Sequence, residues 1–345
     1  MNVEVMSRQG WALILTVFIA ALSVGTGAAA GLEEIPNTGP PRFSLKLGGG
    51  LGFLPGRGGD LDLLRNHMEY EYSSRSPAVR AEFDWDRLSW GYDLPLELIV
   101  RLKPYLGIGL GTGIFTSAVQ ASYTKDYQYT WAGSDWSMTD DDHYETARDF
   151  KIRLIPVRIN LYVFYPLGSI TVYSYGGLGY YWGKLIHSAS SNTELMYEYH
   201  DSSGYSSKEE DYDERTIEES ARRGGLGFQG GLGVEFTLMR NFSIGLEVFG
   251  QHFNNLGWQG SSTTDYTTTS KYWTSREGWR PDDTASGSLE DTGTLWYQHD
   301  GSANHEIYVG DERNPPLFNA KREARIDLSA VGIRLTLRIH FGRPI

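Results

Sequence analysis

The chain has no cysteine. That excludes disulfide bonds, thiolate metal centres and a lipid carried on an N-terminal cysteine. Past the N-terminal segment there is no apolar run of the roughly 20 residues that a membrane helix needs. A basic stripe is lacking too. The net charge is −12 over 345 residues, and binding to phosphate backbones needs clustered Lys and Arg. Nucleic acid is therefore not an expected partner. The eight histidines form no HExxH pattern, and no loop matches an EF-hand. No nucleophile–base constellation stands out, so no enzyme activity, cofactor or metal is expected.

What is present begins with a targeting segment. Arg8 supplies a basic start, Trp11 to Val24 is apolar apart from Thr16 and Ser23, and small residues lead to Ala28-Ala29-Ala30. This is the order of a secretory signal, with cleavage expected after Ala30. The competing reading, a membrane anchor, needs a longer apolar core than these roughly 14 residues. A short leader, 31–41, follows.

From there the sequence alternates between period-2 hydrophobic runs and polar stretches rich in Ser, Thr, Tyr, Asp and Gly. The last run is the clearest. Val331, Ile333, Leu335, Leu337, Ile339 and Phe341 share one face; Gly332, Arg334, Thr336, Arg338 and His340 share the other. Two large cations do not fit an ordinary core. They fit a strand with lipid on its apolar side and an enclosed polar interior on the other. The pattern recurs around Leu45, Leu98, Leu110, Ile159, Leu232 and Leu246. Glycine recurs on the polar face, as in Gly107, Gly109, Gly111 and Gly113, where a narrow barrel has little room. Ile170 to Trp182 also reads as a strand, but tyrosines on both sides leave its facing ambiguous.

Connections alternate between short and long. The long ones lie near 55–77, 123–148, 188–221 and 257–322. Short turns on one side and long loops on the other predict an all-β, transmembrane, antiparallel up-and-down barrel with long extracellular loops. Its domain runs over 42–341, with 342–345 as a tail. Eight strands are expected, near 42–54, 79–102, 104–122, 150–165, 169–187, 222–238, 242–256 and 323–341. The second breaks near 89–91. Ten strands remain open if a long loop hides a hairpin.

Four segments carry a family resemblance: KPYLGIGLGTG (Lys103 to Gly113), YSYGGLGYYWG (Tyr173 to Gly183), GGLGFQGGLGVEF (Gly224 to Phe236) and IRLTLRIHF (Ile333 to Phe341). They resemble the outer membrane β-barrel domain family, the small OmpA- and OmpW-like barrels. The resemblance implies residence in the outer membrane after signal cleavage, with lipid and the barrel-assembly machinery as partners. Leu335, Leu337, Ile339 and Phe341 would form the assembly-signal strand. The chain departs from the pattern in placing Gly342 to Ile345 after the aromatic Phe341.

Charges on the polar faces are the most informative candidates for function. Lys46, Glu97, Arg158, Glu235, Glu247, Arg334 and Arg338 lie at matched depth from the short turns. Closing the barrel brings the last strand between the first and the seventh. Arg334 and Arg338 are then expected to reach Glu247 and the neighbourhood of Lys46. A salt-bridged plug is favoured over a charged gate, because eight strands leave room only for side chains. The alternatives are an OmpW-like conduit or narrow pore and, least favoured, a lipid-modifying enzyme.

In the long loops, Asp140 to His143 and Glu209 to Glu214 read as solvated, mutually repelling charge, the latter stretch as partly disordered. Ca²⁺ binding is the competing reading. His200-Asp201-Ser202 is similar to the His/Ser spacing of outer-membrane lipid A deacylases, but sits in a polar loop. Tyr165, Tyr180, Tyr181, Trp182 and Trp90 are expected at the membrane boundaries. Loop aromatics, above all Trp273, Trp279 and Trp296, are candidates for contact with an extracellular protein or glycan, or for packing over the barrel mouth.

Overall fold

The computed structural model describes residues 41–56, 58–72, 79–253, 257–299, 305–310 and 320–344. The expected signal segment and nearly all of the leader lie outside them. In chain order the elements are β1 (Pro41–Phe53), α1 (Asp60–Tyr72), β2 (Val79–Trp85), β3 (Trp90–Lys103), β4 (Leu106–Ala132), β5 (Trp136–Leu167), β6 (Ile170–Asp201) and β7 (Ser206–Met239). They continue with β8 (Phe242–Phe253), β9 (Gln259–Thr274), β10 (Gly278–Trp279), β11 (Asp283–His299), β12 (His305–Gly310), β13 (Ala320–Glu323) and β14 (Ala330–Pro344).

Eight of the strands close into a ring. The order is β1–β3–β4–β5–β6–β7–β8–β14, and β14 returns to β1, every pair antiparallel. The tight turns after β3, β5 and β7 are all at one end. The turn after β5 needs Gly168, whose φ of 67° suits a residue without a Cβ. Outward side chains between the two ends are apolar: Ile155, Val157, Ile159, Leu161 and Val163 on β5, and Leu226, Phe228 and Leu232 on β7 are all exposed. Ile159 is 62% and Leu226 75% accessible, which water would penalise and lipid does not. On β5 the band runs from Ile155 to Tyr165, the roughly 9–11 residues a tilted membrane strand requires. This is a transmembrane barrel of the outer-membrane type.

The regions expected as loops are largely strand. β4 and β5 continue as one hairpin to a turn at 133–135, and β6 and β7 to a turn at 202–205. The stretch expected to be partly disordered, Glu209 to Glu214, is regular β7 paired on both sides. Within the fourth long connection β9, β11 and β12 add successively to the edge of β7, and β2 adds to β4. None of these added strands enters the ring, so the barrel count is eight. The residues expected as a tail also differ: β14 runs to Pro344, which pairs with Pro41.

Above the membrane the wall encloses an apolar core. α1 is amphipathic, with Leu61, Leu64 and Met68 buried at helical spacing. It contacts β12 on one side and β2 on the other, so it seals the gap between the two edges of the extended sheet. Its first turn carries Asp60, which accepts from both terminal nitrogens of the Arg322 guanidinium at 2.6 Å and from the Arg325 amide at 2.6 Å. That clamp ties the first long connection to the fourth. The segment 324–329 was expected as strand. It is not, yet Ala324, Ile326 and Leu328 still point inward and are fully buried with Trp258, Phe115, Phe150 and Phe253.

Candidate functional site: the barrel interior and its two rims

The interior of the ring is filled by side chains from seven barrel strands, while β4 turns Gly107, Gly109, Gly111 and Gly113 inward and makes room for them. Lys46 on β1 lies 3.0 Å from Glu97 on β3 and 3.2 Å from Glu247 on β8. It also donates to the Tyr162 hydroxyl at 2.6 Å. Tyr162 donates to Glu97 at 2.6 Å, and the Asn160 amide donates to the other Glu97 oxygen at 2.7 Å. Glu247 accepts from Tyr173, Tyr175 and Arg334. Arg334 reaches on to Asp93 at 2.5 Å. Toward the short turns, Arg338 pairs with Glu235, and His340 lies 3.1 Å from the other Glu235 oxygen. Ser44 and Ser243 hold the two ring nitrogens of His340 at 2.9 and 2.6 Å.

All seven charges singled out in the sequence face this interior and are almost wholly buried. Six share salt bridges. Arg158 differs: it binds the Gln229 side chain at 2.7 Å and the Thr112 carbonyl at 3.2 Å, with no carboxylate partner among the described residues. Alternation puts Asp93, Arg101, Asn160 and Gln229 on the polar faces as well, although they were not singled out with the seven charges, and sequence reasoning missed Tyr162, Tyr173 and Tyr175. Asp93, Arg101, Asn160, Gln229 and Tyr162 share strand parity with a charge already identified, and that parity is the signal that finds them; Tyr173 and Tyr175 lie on β6, which carries none of the seven charges. Arg101 lies over the Phe164 ring, 4.1 Å from its centroid. Interior glycines make this density possible. A methyl group at Gly231 would lie 2.7 Å from the Tyr175 ring, and one at Gly109 would lie 2.9 Å from Tyr162.

No protein-family model matches the chain, and no curated protein matches it in sequence. Solved structures that align over most of its length include the TodX monoaromatic hydrocarbon channel deltaS2 mutant. The identity is 8%, covering 88% of this chain and 91% of that one, with a TM-score of 0.14. Acinetobacter baumannii OccAB2 gives 8% identity, 87% and 98% coverage, and 0.12. OmpT, an outer membrane protein of Vibrio cholerae, gives 10%, 88% and 100%, and 0.09. Scores of this size assign neither subfamily nor activity. The fold rests on the closed ring of strand pairs, and the likeness to OmpA- and OmpW-like barrels stays at the level of strand pattern.

The remaining candidates are dispersed. Trp273 and Trp279 are direct cross-strand partners at the far tip of the extension. Trp296 lies near the other end of β11, paired with Tyr308 and donating to the Gly310 carbonyl at 3.0 Å. About a dozen residues of strand separate it from the tip, roughly 40 Å at strand rise, so the three do not form one patch. Among the described residues no three carboxylate or imidazole groups converge on a metal position. The residues of the His200-Asp201-Ser202 run serve a turn. Asp201 accepts from the Ser203 and Tyr205 amides at 2.8 and 3.0 Å, and His200 meets Ser206, not Ser202, at 2.9 Å.

The rims carry exposed aromatics: Tyr105 and Tyr165 at the short-turn end, Trp90, Tyr180 and Trp182 at the other. Tyr181 was expected with them and belongs elsewhere. It is 1% exposed, inside the barrel beside Phe253, because period 2 places it opposite its two neighbours. On β14, Phe341 is exposed and stacks on Phe43 of β1 at 5.9 Å, while Leu335, Leu337 and Ile339 line the lipid side less openly.

Proposed function

We propose that the protein is an outer-membrane barrel with a structural or surface-interaction role, reaching the membrane after its signal segment is cleaved. One observation carries this reading: the lumen is blocked twice, by the ion-paired network within the membrane and by the apolar core at the mouth. A conduit for small molecules, polar or apolar, would need to displace one or both. The long β extension supports the second half of the proposal. It presents Tyr, Thr, Ser and charged groups on a rigid frame, the combination that recognition surfaces favour.

Planar-bilayer recording tests the block. The monomer is expected to give no stable channel, and nanosiemens steps from the intact chain would overturn the reading. Surface interaction is tested at the tip. Replacing Trp273 and Trp279 together by Ala is expected to abolish adhesion to cells or glycan arrays while the heat-induced gel shift persists. Replacing Trp296 by Ala is expected to leave adhesion unchanged, since it lies at the other end of β11 from the tip and is held by the Gly310 carbonyl.

A further inference from the structure

On the outer wall, one row of residues breaks the rule that like charges avoid facing positions in a sheet. Arg153 on β5 pairs directly with Lys184 on β6, and Lys184 pairs directly with Arg222 on β7. All three share the outward parity of the lipid-facing side chains. The row is flanked by neutral groups, Thr116 on β4 and Gln259 on β9. None of the three cations has an ion-pair partner among the described residues. The nearest outward carboxylates along these strands are Asp149 and Glu218, each four residues further out, roughly 13 Å at strand rise. Lys151 intervenes on β5 and adds a fourth cation.

The height of the row is set by the apolar band. On β5 the outward residue just below Arg153 is Ile155, and on β6 the one below Lys184 is Trp182. On β7 Gly224 and then Leu226 lie below Arg222. The cations thus stand at the upper boundary of the hydrocarbon, where headgroups begin. An outward groove of about 470 Å³ runs here, lined by Arg153, Tyr180, Trp182, Lys184, Arg222 and Gly224 among others. That is within the size range of small-molecule sites and larger than one oxyanion needs. Tyr180 and Trp182 pack edge to face at 4.9 Å as its floor. Gly224, directly opposite Trp182, has no side chain, and the hydroxyl end of Tyr180 lies where one would be.

We infer that this groove binds a phosphate-bearing glycolipid headgroup of the outer leaflet. The outer two strands of the row are roughly 10 Å apart, close enough for long side chains to converge on one phosphate. Arginine forks suit phosphate oxygens, the aromatic floor suits the sugar and upper acyl chain, and the anion removes the repulsion that the row otherwise carries. The inference rests on the membrane-spanning reading of the barrel.

The test uses the full chain refolded in uncharged detergent, with tryptophan fluorescence as readout. Lipid A, a bis-phosphorylated disaccharide glycolipid, is titrated against its dephosphorylated form. The wild type is expected to bind the phosphorylated form at least tenfold more tightly. The triple variant Arg153→Gln, Lys184→Gln, Arg222→Gln is expected to lose that preference while keeping its heat-induced gel shift. If the triple variant does not fold, Lys184→Gln alone should weaken the preference at least threefold. Equal binding of the two lipid forms, or an unchanged preference in a folded variant, overturns the proposal. So does full competition by millimolar inorganic phosphate, which would make free anion the ligand. A chain that inserts and shifts on gels but shows no phosphate preference sinks this inference alone. A chain that never inserts sinks the barrel reading beneath it.

Discussion

Two stretches of the same strands obey opposite rules. Within the membrane, β5 turns Ile155 to Val163 outward and Arg158, Asn160 and Tyr162 inward. Immediately above, it turns Arg153, Lys151 and Asp149 outward and Leu154, Ile152 and Phe150 inward. β4 makes the same exchange, from Ile114 out and Gly113 in to Thr116 out and Phe115 in. The register does not shift at the change, although the β4–β5 ladder skips the rungs of Gly113 with Pro156 and Ile114 with Ile155, where Pro156 has no amide proton to donate. The solvent alone decides which face is apolar. Lipid on the outside leaves the enclosed side to polar groups that satisfy one another, and water on the outside restores an apolar core.

The two interiors should therefore fail differently. The largest effect is expected inside the membrane. Glu247→Ala leaves Lys46 and Arg334 without their shared carboxylate and Tyr173 and Tyr175 without an acceptor. Removing one partner of a buried ion pair costs about 3–5 kcal/mol. The variant is expected to lose the heat-induced gel shift in full or to unfold at much lower urea in micelles. A variant as stable as the parent would mean that the network is solvated, which breaks the comparison.

The mouth core should yield locally. Leu64→Ala on α1 removes a fully buried side chain from an apolar cluster, a change that costs about 2–5 kcal/mol. Limited proteolysis is expected to cut the long connections faster while a folded, SDS-resistant barrel remains. Loss of the barrel as well would show that the two cores fold as a single cooperative unit.

The smallest effect belongs to the exposed β4–β5 hairpin. Burial, with a hydrogen bond and charge from Asp140, raises the Asp142 carboxyl to about 6. A hydrogen bond to Asp126 at 2.5 Å raises His143 as well. Both groups hold a proton more tightly folded than unfolded, so both favour the hairpin at lower pH. The Asp142 contribution is lost as pH rises from about 4 to 6, and that of His143 as pH passes from its ordinary value of 6.5 through its raised one. Proteolysis near 133–135 is expected to be slower at pH 5 than at pH 8. Asp142→Asn with His143→Gln should flatten that difference, whereas a steeper one would point to other groups.

The exchange of faces also explains what the sequence made legible. Alternation with apolar side chains toward lipid marked seven of the eight barrel strands, β6 being legible as a strand but not in its facing, and the parity of Lys46, Glu97, Arg158, Glu235, Glu247, Arg334 and Arg338. Where the apolar face switches sides, near 154–155 on β5, the same alternation looks like the end of a strand. Further out, residues such as Thr267 to Ser270 on β9 are polar on both faces, and no periodicity remains to be read. Pairing there comes from β7 and β11, distant in sequence. Tyr173 and Tyr175 were hidden for another reason: β6 turns Tyr173, Tyr175 and Tyr181 inward and Tyr180 outward in unbroken period 2, and a ring that is apolar along its body and polar at its tip does not mark which face it is on.

The seam between β1 and β14 has a consequence for the order of assembly. It joins residues as far apart as Ser44 and His340, 296 positions, a closure that costs on the order of 5 kcal/mol in chain entropy. Directly across it, Lys46 faces Arg338 and Gly50 faces Arg334. The acids that neutralise these cations come from β3, β7 and β8. First and last strands brought together alone would meet as like charges; brought together after their neighbours have docked, each finds its counter-charge waiting. The seam thus favours zipping up last, and a chain truncated before β14 leaves Glu235 and Glu247 without their arginines, a half-built wall that is costly to bury.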